Sequence, residues 1–505
     1  MQQLLGFLFG YGTLGAYYAM TFVAALLLVG AALVAPRLAG LGLLLVVVIF
    51  PGSAATAVAG EYGWNVFGKG QRFFFFSIVE LLAMAMGLVM ALHHWVSARW
   101  HSPLVQRAFA GAHEPPGTEP ASHYRNPYMP FYLGFFLLVV GWALSDAALG
   151  KDTWMAQFGR SGVWTLVVQG LLLSAIVRMC ATEKLLFQGF HLVAATIGAV
   201  VLFGLFRYAV LGGDPQGVYE TEGAQLLRLT FWDINYLVFA TALGGWLLWR
   251  AAEPGTKAGW PWREALALLA FLVVALSARR SAQVGVLITL IVLIFFLPQG
   301  RKGAVLVMLA MTFAAVGYKL SQRIDDNRPL MTRLIQGDER QQFLFDPRYD
   351  RYYELRIAWR DVAANPVLGV GPAGSFNPPS HRGLEYHRGN FSFVHSGFGH
   401  VLLKTGFVGL ALLVGLLVTY TVLMVRQWKH ADHRRRGLLI FSGAGMLAFV
   451  PTLMIGTPFI ELRTAMAMAM LMAIPLALKR VMPEPVPEAP KPLRAKLPLR
   501  WVPVR

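Results

Sequence analysis

Three sets of side chains in this sequence are of types, and at spacings, that can do chemistry. His395 stands just ahead of a long apolar run, with Phe391, Phe393 and Phe398 close by to shield it from water. Ten arginines and no lysine lie between Ser321 and His395, accompanied by nine acidic residues. Arg279-Arg280 separate two further apolar runs. A guanidinium is always charged and presents a planar fork of donors that matches phosphate oxygens. An imidazole at a helix N-terminus, where positive charge is disfavoured, is expected to be neutral and able to take a proton from a hydroxyl. Together these groups suggest chemistry on a lipid-linked anion at a membrane surface.

Each set also has a plainer reading. Asp350-Arg351 and Arg360-Asp361 are adjacent pairs, so the arginines fit a soluble cap held by surface ion pairs. Arg356, Arg382 and Arg388 have less obvious partners, and Arg356 and Arg360 sit four apart, on one side of a helix. Arg279-Arg280 fit either a snorkelling turn or a phosphate clamp, since arginine at mid-span costs about 2.5–3.5 kcal/mol and less at an interface. A lone histidine is more often structural than catalytic. The residues alone leave these alternatives open.

The elements that must position these groups are membrane helices. Hydrophobic residues make up 56% of the chain and charged residues 14%, against roughly a quarter charged in soluble domains. Apolar runs of about 20 residues recur along most of the length, as a hydrocarbon core of about 30 Å requires. A β-barrel would instead show alternating segments of about ten residues. The expected fold is all-α: a polytopic transmembrane helical bundle of about 12–14 spans with one long, partly helical periplasmic loop. The first apolar run lacks a basic start and a cleavage site, so it is expected to be retained. The single cysteine, Cys180, rules out an intramolecular disulfide framework and reads as packing. The net charge of +18 needs no nucleic-acid partner, because basic residues gather in cytoplasmic loops.

Sidedness follows from the 426–436 loop, which carries five Lys/Arg in eleven residues and is expected to be cytoplasmic. The 94–130, 250–263 and 299–302 loops then share its side. So does the 481–505 tail, rich in proline and basic residues, which can touch anionic headgroups. The domain reading is a first transmembrane region over 1–320, a periplasmic loop over 321–395, and C-terminal spans over 396–480. Arg279, Arg280 and the loops near 150–160 and 209–228 fall on the periplasmic side. Within the long loop, Asp346-Pro347 marks a helix start and Asn365-Pro366 a stop, giving an amphipathic helix near 347–364. Tyr352, Leu355, Trp359 and Val362 are expected to form its apolar stripe. The Gly369–Gly374 turn lets backbone approach a ligand closely, and it is no P-loop, lacking the Lys-Ser/Thr.

Three blocks in this region resemble those of the bacterial O-antigen ligase and O-antigen polymerase family. Ser277-Ala278-Arg279-Arg280-Ser281-Ala282 is similar to the family's Ser-Arg-x-Ala start of a span. Arg356-Ile357-Ala358-Trp359, then Asn365-Pro366-Val367-Leu368-Gly369-Val370-Gly371, resembles its Arg-x-x-Trp and Pro-x-x-Gly-x-Gly blocks. His395-Ser396, followed after nine residues by Gly406-Phe407-Val408-Gly409, resembles its histidine–glycine motif, with Ser where ligases commonly carry Asn. The similarity covers roughly Ser277 to Gly409; upstream only the many-span layout agrees.

The resemblance implies an inverting glycosyltransferase of the bacterial inner membrane that needs neither metal nor cofactor. It moves a glycan from undecaprenyl diphosphate to an acceptor hydroxyl on the periplasmic side. The acceptor is a second lipid-linked glycan in a polymerase, the lipid A core in a ligase, or Ser/Thr of a secreted protein in a related glycosylase. The products are lipopolysaccharide or exopolysaccharide of the cell envelope. By the same resemblance His395 activates the acceptor, and Arg280 and Arg356, with Arg279, bind the diphosphate. Arg360 and Arg388 are secondary candidates. Gly406 and Gly409 read as structural, letting helices approach closely. The alternative is a flippase or other transporter of lipid-linked glycans, in which the arginines bind a passing anion. The lack of an inverted repeat counts against it.

Overall fold

The computed structural model describes residues 72–73, 76–77, 126–158, 162–180, 182–211, 234–253, 262–277, 280–322, 351–376, 391–456, 458–459 and 462–481. The architecture is all-α. Arg72–Phe73 and Phe76–Ser77 pair as a two-residue antiparallel hairpin, at the place where a span was expected to begin. The other expected spans before residue 126 lie outside the described residues.

The helices are α1 (Met129–Ala148), α2 (Trp164–Met179), α3 (Glu183–Leu211), α4 (Ile234–Ala251), α5 (Trp262–Leu276) and α6 (Arg280–Phe296). They continue with α7 (Gln299–Gln322), α8 (Arg351–Ala364), α9 (Gly397–His430), α10 (His433–Ile455) and α11 (Leu462–Val481). A short 3-10 helix, Asp152–Phe158, follows α1. Among the described residues five segments are long and apolar enough to cross a membrane: α1, Glu183–Leu202 of α3, α9, α10 and Thr464–Val481 of α11.

Helix burial follows the pattern of apolar residues. In α1 the buried residues are Tyr132, Phe135, Val139, Ala143 and Asp146, a single stripe at helical spacing, while Leu133, Leu137 and Leu144 face outward. A helix with protein on one side and lipid on the other needs only that one stripe. Its start is set by Pro130 in the first turn and by the Tyr128 N–H, which donates to Asn126 Oδ1 at 3.0 Å. The alternating Ala and Met residues from Ala465 to Met470 in α11, with Leu471 and Met472 after them, are instead buried on every side. That helix is the central post, with α2 packed along it and α10 wedged between it, α4 and α6.

Polar contacts gather at the two ends of the bundle. At one end Arg435 makes a two-pronged ion pair with Glu183 (2.9 and 3.0 Å), Trp249 Nε1–H donates to His433 O (2.7 Å), and Arg301 pairs with Glu264. Arg480 donates to the carbonyls that close α2, Val177 and Arg178, both at 3.1 Å. These contacts bring together the 250–263, 299–302 and 426–436 loops that the charge rule assigns to one side. The opposite end holds the 3-10 helix, α8 and the start of α9.

Candidate active site

The site is built where α8 docks on the first turns of α9. Ser396 is the N-cap of α9, its Oγ accepting from the Gly399 N–H at 3.1 Å, so His395 stands one residue outside the helix. Beneath it lies Glu354 of α8, with no exposed side-chain surface. Glu354 Oε1 accepts from the His395 backbone N–H at 3.0 Å, and the carboxylate meets His395 Nδ1 at 3.0 Å through Oε2 and 3.3 Å through Oε1. A carboxylate offers only lone pairs, so Nδ1 carries a proton, and in the neutral ring Nε2 is then the acceptor nitrogen. The edge of the ring meets Phe393, centroids 5.2 Å apart and planes at 67°. The His395 side chain remains 19% exposed.

α8 ends at Ala364, at the stop that Asn365-Pro366 sets, but its buried face differs from the expected stripe. Glu354, Ile357, Ala358 and Val362 are buried, whereas Trp359 is 50% exposed. Ile357, Ala358 and Val362 form a small separate core with Phe376, Val394 and Leu403, so α8 sits on the segments flanking His395. Of the expected stripe, Val362 is buried and Leu355 packs on this core, while Trp359 lies outside it. The apolar cluster around Val394 and Leu403 takes Ile357 and Ala358 in its place.

The loop after α8 and the helix after His395 interlock through their backbones. α9 is broken at Gly406, with φ 61° and ψ −160°, a conformation open essentially to glycine alone. The break exposes backbone groups, and the loop takes them. Phe407 and Val408 N–H donate to Pro366 O (2.8 Å) and Val367 O (3.2 Å), and Val370 N–H donates to Leu403 O (2.9 Å). Gly369 has φ 69°, and a Cβ there would strike the Leu403 carbonyl; one on Gly406 would strike the Val367 carbonyl. The two glycine blocks are therefore halves of one joint. This corrects the reading of Gly406 and Gly409 as sites of close helix–helix approach: Gly406 meets the loop, and Gly409 faces Thr405 of its own helix.

The Gly371–Gly374 turn is fixed from both sides. The Ala373 N–H donates to Gln157 Oε1 at 2.9 Å, and Gln157 Nε2 donates to the buried Asp146 carboxylate at 2.6 Å. From the other side the buried Lys404 ammonium donates to Gly374 O. His395 thus stands on a frame tied to α1, the 3-10 helix, α8 and α9.

Residues 265–414 match the O-antigen ligase family. This segment is similar to an O-antigen ligase domain. The matched segment holds most of α5, then α6, α7, α8 and the first half of α9, including all three blocks read from the sequence. No curated protein matches the chain. The domain is of the membrane glycan-handling, ligase or polymerase type, and its class is enzymatic.

Within the matched segment the expected residues are not all brought together. Arg356 and Arg360 are exposed, and helical periodicity sets them across α8 from Glu354. Neither forms an ion pair among the described residues. Arg279 and Arg388, with His381, Arg382 and His387, lie outside the described residues. Arg280 is described as the first residue of α6. The group found against His395 is Glu354, which the sequence pattern does not single out. Its only signal is an acidic side chain one position ahead of Leu355 and three ahead of Ile357, inside the face that proves to be buried.

A cavity of about 390 Å³ lies between α6, α9 and α10. α6 and α9 both rest against α10. The cavity reaches from Phe398, three residues after His395, to Phe296 and Trp428 near the other end. Along α10 its lining runs from Leu439 to Leu453, about 21 Å at 1.5 Å per residue. Its three hydroxyls have partners in the protein: Thr289 donates to Gly285 O (2.8 Å), Thr421 to Leu417 O (3.0 Å), and Tyr420 pairs with Ser442 Oγ (2.8 Å). The remaining lining is apolar.

Proposed function

We propose that this protein is a metal-independent, inverting membrane glycosyltransferase. It moves a glycan from undecaprenyl diphosphate to an acceptor hydroxyl on the periplasmic side of the bacterial inner membrane. The observation that carries the reading is the location of His395: a fixed imidazole three residues ahead of Phe398, which lines a long apolar cavity, within the segment that matches the O-antigen ligase family. An apolar cavity of this volume suits a hydrocarbon chain, and one lined at one end by Phe398, close in sequence to the proposed base, suits a donor whose leaving group is a lipid.

In the proposed reaction the acceptor oxygen attacks the anomeric carbon on the face opposite the diphosphate. The new glycosidic C–O bond forms as the bond to the diphosphate oxygen breaks, and the electron pair leaves with the diphosphate. The hydroxyl proton passes to His395 Nε2. A positioned base contributes about 10²–10⁴-fold to such a step. The charge that develops on the diphosphate is met by arginine, at about 2.7–4 kcal/mol for one preorganised donor. Arg280 and Arg279 are favoured for this role, because Arg280 opens α6, whose later residues Thr289 to Phe296 wall the cavity, and a helix N-terminus itself favours an anion. Arg356 and Arg360 stand on the outward face of α8, which suits an anion that passes over that helix, and Arg388 remains a further candidate from the same loop. The acceptor is a second lipid-linked glycan or the lipid A core.

The test is reconstitution. Purified protein in lipid vesicles is given a lipid-linked oligosaccharide and a candidate acceptor. Joined glycan and free polyprenyl diphosphate should appear in equal amounts, with the anomeric configuration inverted. Movement of the donor across the bilayer without any joining would overturn the reading in favour of a transporter.

A further inference from the structure

We propose that Glu354 is the positioning residue of His395, holding the ring in the tautomer that leaves Nε2 to receive the acceptor proton. The inference rests on the proposed function and deepens it. Glu354 has no exposed side-chain surface, so it cannot touch a substrate and acts only through what it contacts. Its contacts include His395 twice over, at the backbone N–H and at Nδ1. A carboxylate is costly to bury, and these hydrogen bonds offset part of that cost.

The contact does three things to the base. It keeps the proton on Nδ1, so the lone pair sits on Nε2. It fixes the plane of the ring, together with the edge contact to Phe393. Once Nε2 has taken the acceptor proton, it sets a negative charge against the imidazolium that results, the part a buried carboxylate plays behind a catalytic histidine. It also ties catalysis to the loop. Glu354 belongs to α8 and His395 to the segment leading into α9, so the tautomer is enforced only while α8 is docked.

The test is a double-mutant cycle in reconstituted full-length protein, with transfer rate, donor binding and thermal unfolding measured for each variant. Glu354→Gln keeps the size and the acceptor oxygen but removes the charge and can turn an amide N–H toward Nδ1. Its kcat should fall by about 10²–10⁴-fold, with the donor KM changed by less than about threefold. In the His395→Ala background the same substitution should change nothing further, because residues that act as a unit are non-additive. Glu354→Asp keeps the charge and should retain more activity than Glu354→Gln. If Glu354→Gln fails to fold, the Glu354→Asp and His395→Ala cycle decides in the same way.

The proposal is overturned if Glu354→Gln stays within about threefold of the native rate. It is also overturned if Glu354→Asp is no better than Glu354→Gln, or if Glu354→Gln lowers both backgrounds by the same factor, as a purely structural residue would. Those results leave the base assignment standing when His395→Ala alone is inactive. Native transfer by His395→Ala would instead remove the base, and Glu354 with it.

Discussion

Replacing Gly406 by alanine should undo the joint between the loop and α9 while leaving the bundle folded. Alanine at φ 61°, ψ −160° costs on the order of 1–3 kcal/mol in backbone strain. Its Cβ would also strike the Val367 carbonyl, which is the acceptor for the Val408 N–H. Losing that hydrogen bond and the neighbouring Phe407–Pro366 bond adds about 0.5–1.5 kcal/mol each. The sum is about 2–6 kcal/mol, and the low end alone raises the open fraction of the joint by more than tenfold. Hydrogen exchange reads this directly. The Val370, Phe407 and Val408 amides should exchange at least about tenfold faster, while amides in α10 and α11 keep their protection. Because α8 holds Glu354 against His395, transfer activity should fall in parallel. Unchanged exchange at Phe407 and Val408 would refute the idea that the glycine break is held by the loop.

Other outcomes follow from the same contacts. Gln157→Leu removes the partner of the Ala373 N–H and one partner of the Asp146 carboxylate, and should destabilise the loop end by about 1–3 kcal/mol in denaturant unfolding. Thr421→Trp projects into the cavity from an exposed helix position. It should leave stability within about 0.5 kcal/mol, yet raise the KM for a long-chain polyprenyl donor roughly tenfold and spare a donor with two or three isoprene units. Arg280→Lys loses the planar fork and should lower kcat by about 10²–10³-fold, measured with saturating donor. Arg356→Lys, on the outward face of α8, should lower it less.

Much of the frame is legible in the sequence. Apolar runs announce the long helices, and Asn365-Pro366 ends α8 where the proline rule expects. The glycine blocks are visible too, but their purpose is not. A Gly-x-x-Gly pair on an apolar helix has the same spacing whether it meets another helix or a loop, and only the positive φ at Gly406 decides. Spacing alone puts Trp359 on the apolar stripe of α8 with Leu355 and Val362, which do face the small core. The space beneath α8 fills with Ile357, Ala358 and Val362, and Trp359 is left outside. Glu354 is hidden for a general reason. An acidic side chain on a loop helix reads as solvated, and its partner lies 41 residues away. The Arg435–Glu183 pair spans 252 residues and cannot be read from either segment alone.

The most direct measurement is the single-turnover rate of glycan transfer by His395→Ala, with donor binding measured on the same preparation. Donor affinity should be close to native while the chemical step slows by about 10²–10⁴-fold. Transfer at the native rate, with the imidazole gone, would contradict a proton-accepting role for His395.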